Sequence, residues 1–138
     1  MQVSQAMSDV VVTVGPHHTL EDAARLMANS NVGAAVVLDP EQPGAGIITE
    51  RDISSSVGAG EAPAEERVAE HMASNVVYAD SGWSLEEAAE TMVSHGFRHL
   101  VVLKGPETAG VISMRDIVRA WVSDGATCDL PVLGVSEG

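Results

Sequence analysis

The apolar positions of this chain follow one strand-and-helix pattern that occurs twice. Runs of aliphatic and β-branched residues predict strands at 10–14 ("VVVTV"), 34–38 ("AAVVL") and 99–103 ("HLVVL"). The strands at 34–38 and 99–103 are expected to be buried. Apolar residues at helical spacing predict helices over 19–29, 49–57, 84–94 and 113–122. The return strands "GII" and "GVI" run directly into the second and fourth helices. Each half therefore predicts strand, helix, strand, strand, helix, which is a mixed α/β fold class.

Each predicted helix begins with a hydroxyl residue that is followed three positions later by a carboxylate, the spacing of a capping box. The four pairs are Thr19 with Asp22, Thr49 with Asp52, Ser84 with Glu87, and Ser113 with Asp116. Asn31 and Gly96 fit the ends of the first and third helices, where a left-handed residue is common.

The second half of the chain repeats the first. At an offset of 65 positions Leu20 meets Leu85, and after a shorter turn "GIITERDI" (46–53) meets "GVISMRDI" (110–117) at an offset of 64. The repeat predicts two βαββα motifs, at 3–57 and 68–122. A linker at 58–67 joins them, and a tail follows at 123–138. One copy of about 52 residues buries too little surface to be comfortable alone, so we expect the two to pack sheet to sheet around one core.

Composition favours a cytoplasmic protein. Hydrophobic residues make up 45% of the 138 and aromatic residues 3%, which predicts a core of small aliphatic side chains. No apolar run approaches the ~20 residues of a membrane span, and the first residues lack the basic and apolar regions of a signal peptide. Cys128 is the only cysteine, which excludes an intrachain disulfide and agrees with a reducing compartment.

The charge is strongly acidic, with 20 acidic and 7 basic residues and a net charge of −13. A protein that binds nucleic acid polymers needs a basic surface, so this class of function is excluded. An anionic small molecule would need positive charge close to its own site.

The order, spacing and duplication of these motifs resemble the cystathionine-β-synthase (CBS) domain, and the tandem resembles a CBS pair, or Bateman module. The matching segments of the first copy are "VVTVGPHHTLEDAARLM", "VGAAVVLD" and "GIITERDI"; those of the second are "VVYADSGWSLEEAAETM", "FRHLVVLK" and "GVISMRDI". Each copy opens with a short helix that ends in "AM" (6–7) or "HM" (71–72). Val36 and Val101 stand where the family often has proline, a departure that bears on the cleft wall and leaves the fold intact.

The resemblance implies a regulatory protein that binds an adenosine-containing ligand such as AMP, ADP or ATP in clefts between the two motifs. The hydroxyl and aspartate of each octet would contact phosphate and ribose, and residues near the first two strands of each motif would line the clefts. The implied ligand-binding residues are Thr49, Asp52, Ser113, Asp116, Thr13, Tyr78, Ala35, Arg98 and His99. No cofactor is required beyond this regulatory nucleotide.

Elementary chemistry agrees with these roles. An ionised aspartate can accept both hydroxyls of a ribose, and a helix N-terminus suits a phosphate. The second interpretation is that Thr49 with Asp52, and Ser113 with Asp116, only cap their helices. Arg98 and His99 stand where the first copy has Gly33-Ala34, which predicts unequal clefts and one nucleotide per chain. In the alternative interpretation, strand alternation points these two side chains to opposite faces, and at least one is exposed without contacting a ligand.

Neither a metal site nor a catalytic set is predicted. The five histidines form no group with cysteine or carboxylates at ligand spacing. No nucleophile has an evident base, and Cys128 lies in the tail without one. The chain is therefore expected not to be an enzyme.

The resemblance also implies a homodimer formed through the helical faces, with Trp121 covering one interface. No further domain is evident beside the repeat, so the signal is expected to pass through assembly or an unidentified effector protein. The alternative function is a ligand-free interaction or stress-associated scaffold, a dimer in which the clefts are vestigial.

Overall fold

The computed structural model describes residues 1–124, which form two compact units. In chain order the elements are α1 (Val3–Ala6), β1 (Thr13–Val14), α2 (Leu20–Ser30), β2 (Ala34–Leu38), β3 (Ala45–Thr49), α3 (Glu50–Gly58), a 3-10 helix (Val68–Glu70), β4 (Tyr78–Asp80), α4 (Leu85–His95), β5 (His99–Lys104), β6 (Glu107–Ser113) and α5 (Met114–Ser123). Two three-stranded sheets confirm the mixed α/β class. Cys128 and the predicted tail from 125 onward lie outside the described residues.

The central unit comprises residues 9–78 and has the strand order β1-β2-β3. β1 is parallel to β2, with Thr13 opposite Val36, and β2 is antiparallel to β3, with Ala35 opposite Ile48. The parallel pair needs a crossover, and α2 supplies it. As the composition predicts, its core is made of small aliphatic side chains: Val14, Leu20, Ala23, Met27, Ala35, Val37, Ile48 and Val68.

The split unit comprises residues 1–8 and the described chain from Ala79 onward. Its sheet has the order β4-β5-β6, and β5 pairs antiparallel with β6, with His99 opposite Ser113. An irregularity between Val102 and Leu103 shifts the register. β6 still ends at the start of α5, just as β3 ends at the start of α3.

The first predicted strand, 10–14, is shorter than expected. Only Thr13 and Val14 form β1, although the Val12 carbonyl still accepts a hydrogen bond from the Val36 N–H at 2.8 Å. Val10 is exposed, so the run of apolar residues begins before the residues that pair with β2. β-branched composition indicates residues that suit a half-buried pleated surface, and it does not fix where the pairing with β2 begins.

The compact units differ from the sequence repeats because the opening segments are exchanged. Ser8, in the first repeat, pairs antiparallel with Val111, and the Val3 N–H donates to the Trp83 carbonyl at 2.8 Å. Reciprocally, Ala73 of the second repeat pairs antiparallel with Ile47. The boundary between the compact units therefore falls after Tyr78.

The predicted helix caps are confirmed. Thr19 Oγ1 accepts from the Asp22 N–H at 3.1 Å, while Asp22 Oδ2 accepts from the Thr19 N–H at 3.0 Å; the other three pairs form the same box. Asn31 and Gly96 end α2 and α4 with φ of 56° and 71°. Within residues 1–124, every helix is too short or too polar to cross a membrane.

Asp22→Asn is expected to lower stability at neutral pH and to have little effect in acid. Hydrogen bonds from Thr19 hold the pKa of the Asp22 carboxyl below its ordinary value. A carboxyl whose pKa is lowered by folding stabilises the fold above its unfolded pKa, and this contribution is lost as the pH falls through the folded value. Thermal melts of both proteins at pH 7 and pH 3 measure this, and an equal difference at the two pH values would contradict it.

Candidate functional site

The two sheets end at helix N-termini that are built alike. β3 ends at Thr49 and α3 begins at Glu50, while β6 ends at Ser113 and α5 begins at Met114. The first N–H groups of a helix have no partner within it and carry partial positive charge. Each strand therefore delivers its octet's hydroxyl and aspartate to a position that favours an anion.

At the start of α3, Asp52 is committed to the cap through one oxygen. Asp52 Oδ2 accepts from the Thr49 N–H at 2.8 Å and from the Thr49 hydroxyl at 3.0 Å. The Asp52 N–H donates to Thr49 Oγ1 at 3.3 Å. These contacts leave Oδ1 outside the cap, with lone pairs that can accept further donors.

The start of α5 repeats this geometry with a cation beside it. Asp116 Oδ2 accepts from the Ser113 N–H at 2.8 Å, and Ser113 Oγ accepts from the Asp116 N–H at 3.0 Å. Arg119 Nη1 lies 3.7 Å from Asp116 Oδ1. The Arg119 side chain is 66% exposed, so this ion pair is weak and easily exchanged.

The structure brings Arg98 and His99 to the α5 terminus. The Arg98 carbonyl accepts from the Met114 N–H at 2.9 Å, and the Arg98 side chain is exposed. His99 is half-buried and lies opposite Ser113 in the ladder. Four of the predicted site residues therefore gather at one strand–helix junction of the split unit.

The matching junction of the central unit has a carboxylate close to the residue that corresponds to Arg98. The Gly33 carbonyl accepts from the Glu50 N–H at 3.0 Å, as Arg98 does from Met114. A Cβ added at Gly33 would lie 3.2 Å from the Glu50 carboxyl carbon. The Glu50 carboxylate therefore lies beside Gly33, the position that Arg98 occupies at the α5 junction.

The other predicted site residues of the central unit have different environments. Thr13 is exposed on β1. Tyr78 is half-buried, and its hydroxyl accepts from the Ala45 N–H at 3.1 Å, so it supports the start of β3. Ala35 has no exposed surface and packs in the core, so its side chain offers a ligand nothing to touch.

Sequence reasoning missed one group of side chains in the central unit. His71 Nε2 lies 2.8 Å from Glu66 Oε1 and 3.7 Å from Glu61 Oε1. The hydrogen bond to Glu66 raises the pKa of His71, burial partly opposes this, and the negative charge of Glu61 adds to it. The spacing Glu61-x4-Glu66-x4-His71 matches no familiar ligand motif, so only the fold of the linker reveals the group.

Comparison with known proteins decides the family. The CBS domain model matches residues 3–58 and 68–123. The chain belongs to the CBS-domain family. The predicted resemblance is confirmed, and the chain is a tandem CBS protein.

Three solved CBS proteins are similar to this one over most of its length. A CBS-domain protein of Burkholderia ambifaria is 32% identical, with a TM-score of 0.80 over 90% of this chain and 96% of that one. A hexameric CBS-CP12 protein from bloom-forming cyanobacteria is 29% identical, with a TM-score of 0.80 over 100% and 84%. A CBS protein of Pyrobaculum aerophilum in complex with AMP is 26% identical, with a TM-score of 0.76 over 92% and 99%.

Proposed function

We propose that this CBS pair is a regulatory sensor that binds an adenine nucleotide and passes the signal through self-association or an effector protein, without catalysing a reaction. The observation that carries the proposal is the α5 junction, where Ser113, Asp116, Arg98 and His99 meet at a helix N-terminus. The AMP complex of the Pyrobaculum protein supports the choice of ligand class.

Each group at the α5 junction has a role that its chemistry supports. The Ser113 hydroxyl donates to a phosphate oxygen, and the partial positive charge of the α5 N-terminus favours the phosphate there. Arg98 adds a fixed positive charge with a planar fork that suits phosphate, and His99, which pairs with Ser113 in the ladder, adds a ring nitrogen that can hydrogen-bond to the ligand. Asp116 Oδ1 accepts a ribose hydroxyl and exchanges its weak contact with Arg119 for it.

The two junctions are proposed to be unequal. The chain carries a net charge of −13, and Glu50 adds negative charge beside the α3 terminus, so a phosphate is disfavoured there. A neutral ligand suits the α3 junction better, with Asp52, Thr49, Thr13 and Tyr78 as its candidate contacts. One charged nucleotide per chain therefore binds, at the α5 junction.

Calorimetry with AMP, ADP and ATP tests this assignment, with S-adenosylmethionine as a further adenosine compound. Arg98→Ala and Asp116→Asn should each weaken binding by about tenfold or more, since a hydrogen bond to a charged group contributes about 1.5–3 kcal/mol. Affinity should fall as salt rises. At a hundredfold excess over Kd the nucleotide should stabilise the fold by about 2.7 kcal/mol.

Asp52→Asn is the matched control, because it makes the same change in the same cap at the other junction. It should leave nucleotide affinity unchanged. Two equivalent sites per chain, or unaltered affinity in Arg98→Ala, would contradict the unequal junctions.

We further propose that the chain forms a homodimer through its helical faces. Among residues 1–124, five of the eight exposed large hydrophobic side chains lie on the long helices: Leu26, Val57, Val93, Val118 and Val122. A groove of about 480 Å³ between α2 and α3 is lined in part by Ala24, Met27, Ala28, Val32, Ile53 and Val57. A second copy would remove these surfaces from water, and the hexameric cyanobacterial protein shows that a CBS relative self-associates.

The ligand-free scaffold is the second candidate function. It is favoured by the caps themselves, because Thr49 and Ser113 are satisfied by their own aspartates without any ligand. If AMP, ADP, ATP and S-adenosylmethionine all fail to raise the melting temperature while the dimer persists, the scaffold is the better description.

A further inference from the structure

The linker after α3 folds back on the end of that helix within the central unit. The buried Ser56 hydroxyl donates to Glu61 Oε1 at 2.6 Å, and the Glu61 N–H donates to the Ser56 carbonyl at 3.1 Å. The Ala62 carbonyl then accepts from the Glu66 N–H at 3.1 Å. A short 3-10 helix follows, and the His71 N–H donates to the Val68 carbonyl at 3.0 Å. These bonds hold three ligand-type side chains at one place.

The three ligand atoms form a compact triangle. Glu61, Glu66 and His71 each offer one oxygen or nitrogen, and these atoms all lie within 4.8 Å of one another. The Glu66 and His71 side chains are 24% and 19% exposed, whereas the Glu61 side chain is 41% exposed. The Glu61 corner of the triangle is therefore the most open to solvent, while Glu66 and His71 are largely enclosed by the fold.

We propose that Glu61, Glu66 and His71 bind a divalent cation of the zinc type. Zinc accepts imidazole nitrogen and carboxylate oxygen at about 2.0–2.2 Å, so ligands at tetrahedral positions around it lie about 3.3 Å apart. The separations from His71 Nε2, 2.8 Å to Glu66 and 3.7 Å to Glu61, bracket that value. Small side-chain adjustments bring the three ligand atoms to these positions, and water takes the fourth.

The donor set selects the class of cation. Calcium and magnesium prefer sites made entirely of oxygen, and an imidazole is a poor ligand for them. Two carboxylates beside one neutral imidazole leave an excess of negative charge, which a divalent ion offsets. The acidic chain as a whole also attracts cations.

Ser56 acts as a positioning residue for this site. Its hydroxyl is bonded to the Glu61 carboxylate and its side chain is almost fully buried, so it fixes where that carboxylate points. Outer-shell hydrogen bonds of this kind commonly change metal affinity by about 10–100-fold. The site uses none of the nucleotide-contacting residues proposed above, so either proposal can fail without the other.

Calorimetric titration of the chelator-stripped full chain with zinc chloride tests the site. Cys128→Ser serves as the background, because it removes the thiol as a competing ligand. We expect one zinc ion per chain and a rise in melting temperature with zinc concentration. His71→Ala and Glu66→Gln should each weaken binding by at least about tenfold, and Ser56→Ala by a comparable or smaller factor.

His95→Ala is the matched control, since it removes an exposed histidine whose Nδ1 contacts the Thr91 carbonyl oxygen in the split unit. It should bind zinc as the background does. Glu61→Gln keeps an acceptor for Ser56, so it provides a folded variant if His71→Ala does not fold. Unchanged affinity in Glu61→Gln and Glu66→Gln, or loss of zinc binding in Cys128→Ser alone, would overturn the proposal.

Discussion

Gly110→Val is expected to lower the free energy of unfolding by about 3 kcal/mol and the melting temperature by about 10 °C. A Cβ at this position would overlap the Ser8 carbonyl oxygen and lie 2.9 Å from Met7 Sδ. Ser8 and Val111 exchange two backbone hydrogen bonds, of 3.0 and 3.1 Å, so the obstacle is a paired backbone and cannot simply rotate away. The first glycine of the octet is therefore required by close backbone approach.

Gly58→Ala is the matched control. Gly58 is the last residue of α3, and apart from its chain neighbours and the backbone of its own helix no described atom lies within 4 Å of its added Cβ. This change should be neutral or stabilise by up to about 1 kcal/mol. Denaturant unfolding of both variants measures the difference, and equal stabilities would show that the Met1–Ser8 segment does not pack against β6.

Val57→Glu is expected to convert the proposed homodimer into a monomer. Val57 lines the groove between α2 and α3 and is 51% exposed in one chain, so the substitution should hardly affect the fold. A two-fold interface would bury two such charges. Because burying each charge costs about 3 kcal/mol, the dissociation constant of the dimer should rise by about 10⁴-fold.

Leu38→Glu makes the corresponding change away from the helices. Leu38 is 49% exposed at the end of β2, and the variant should remain dimeric. Light scattering distinguishes a particle of 14.3 kDa from one of twice that mass. A native chain that scatters as a monomer, or a Val57→Glu variant that remains a dimer, would contradict the proposed interface.

Local chemistry made the four long helices predictable. A hydroxyl and a carboxylate three positions apart satisfy each other's backbone N–H groups, so Thr19, Thr49, Ser84 and Ser113 start their helices as expected. The left-handed ends of α2 and α4 were equally local. Such signals span only a few residues, and tertiary packing has little power to override them.

The exchange of opening segments could not be predicted in the same way. The repeat pattern groups Met7 with the helix that follows it in sequence, whereas the fold places Met7 near Gly110. Pairing between residues about a hundred positions apart leaves no periodic signal. In the sequence, the glycine that opens each octet is the one sign of this exchange. Like Gly110, Gly46 has a backbone oxygen close to its added Cβ, that of Ala73 at 3.1 Å.

The candidate site was predicted only in part. The octets identified Ser113 and Asp116, and the resemblance added Arg98 and His99, which the structure gathers at one junction. The buried position of Ala35 follows from strand register, which a short apolar run does not specify. The acidic junction at Glu50 and the Glu61–Glu66–His71 group depend on the folded paths of a strand end and a linker.

The exchanged opening segments also impose an order on folding during synthesis. The central unit can fold once Tyr78 has left the ribosome, because all of its strands and helices lie within residues 9–78. Residues 1–8 are made before the central unit, yet Val111, the pairing partner of Ser8, is made after it. With domains folding as their chain becomes available, residues 1–8 have no β6 to pair with while the central unit folds, and they dock only after Val111 has emerged.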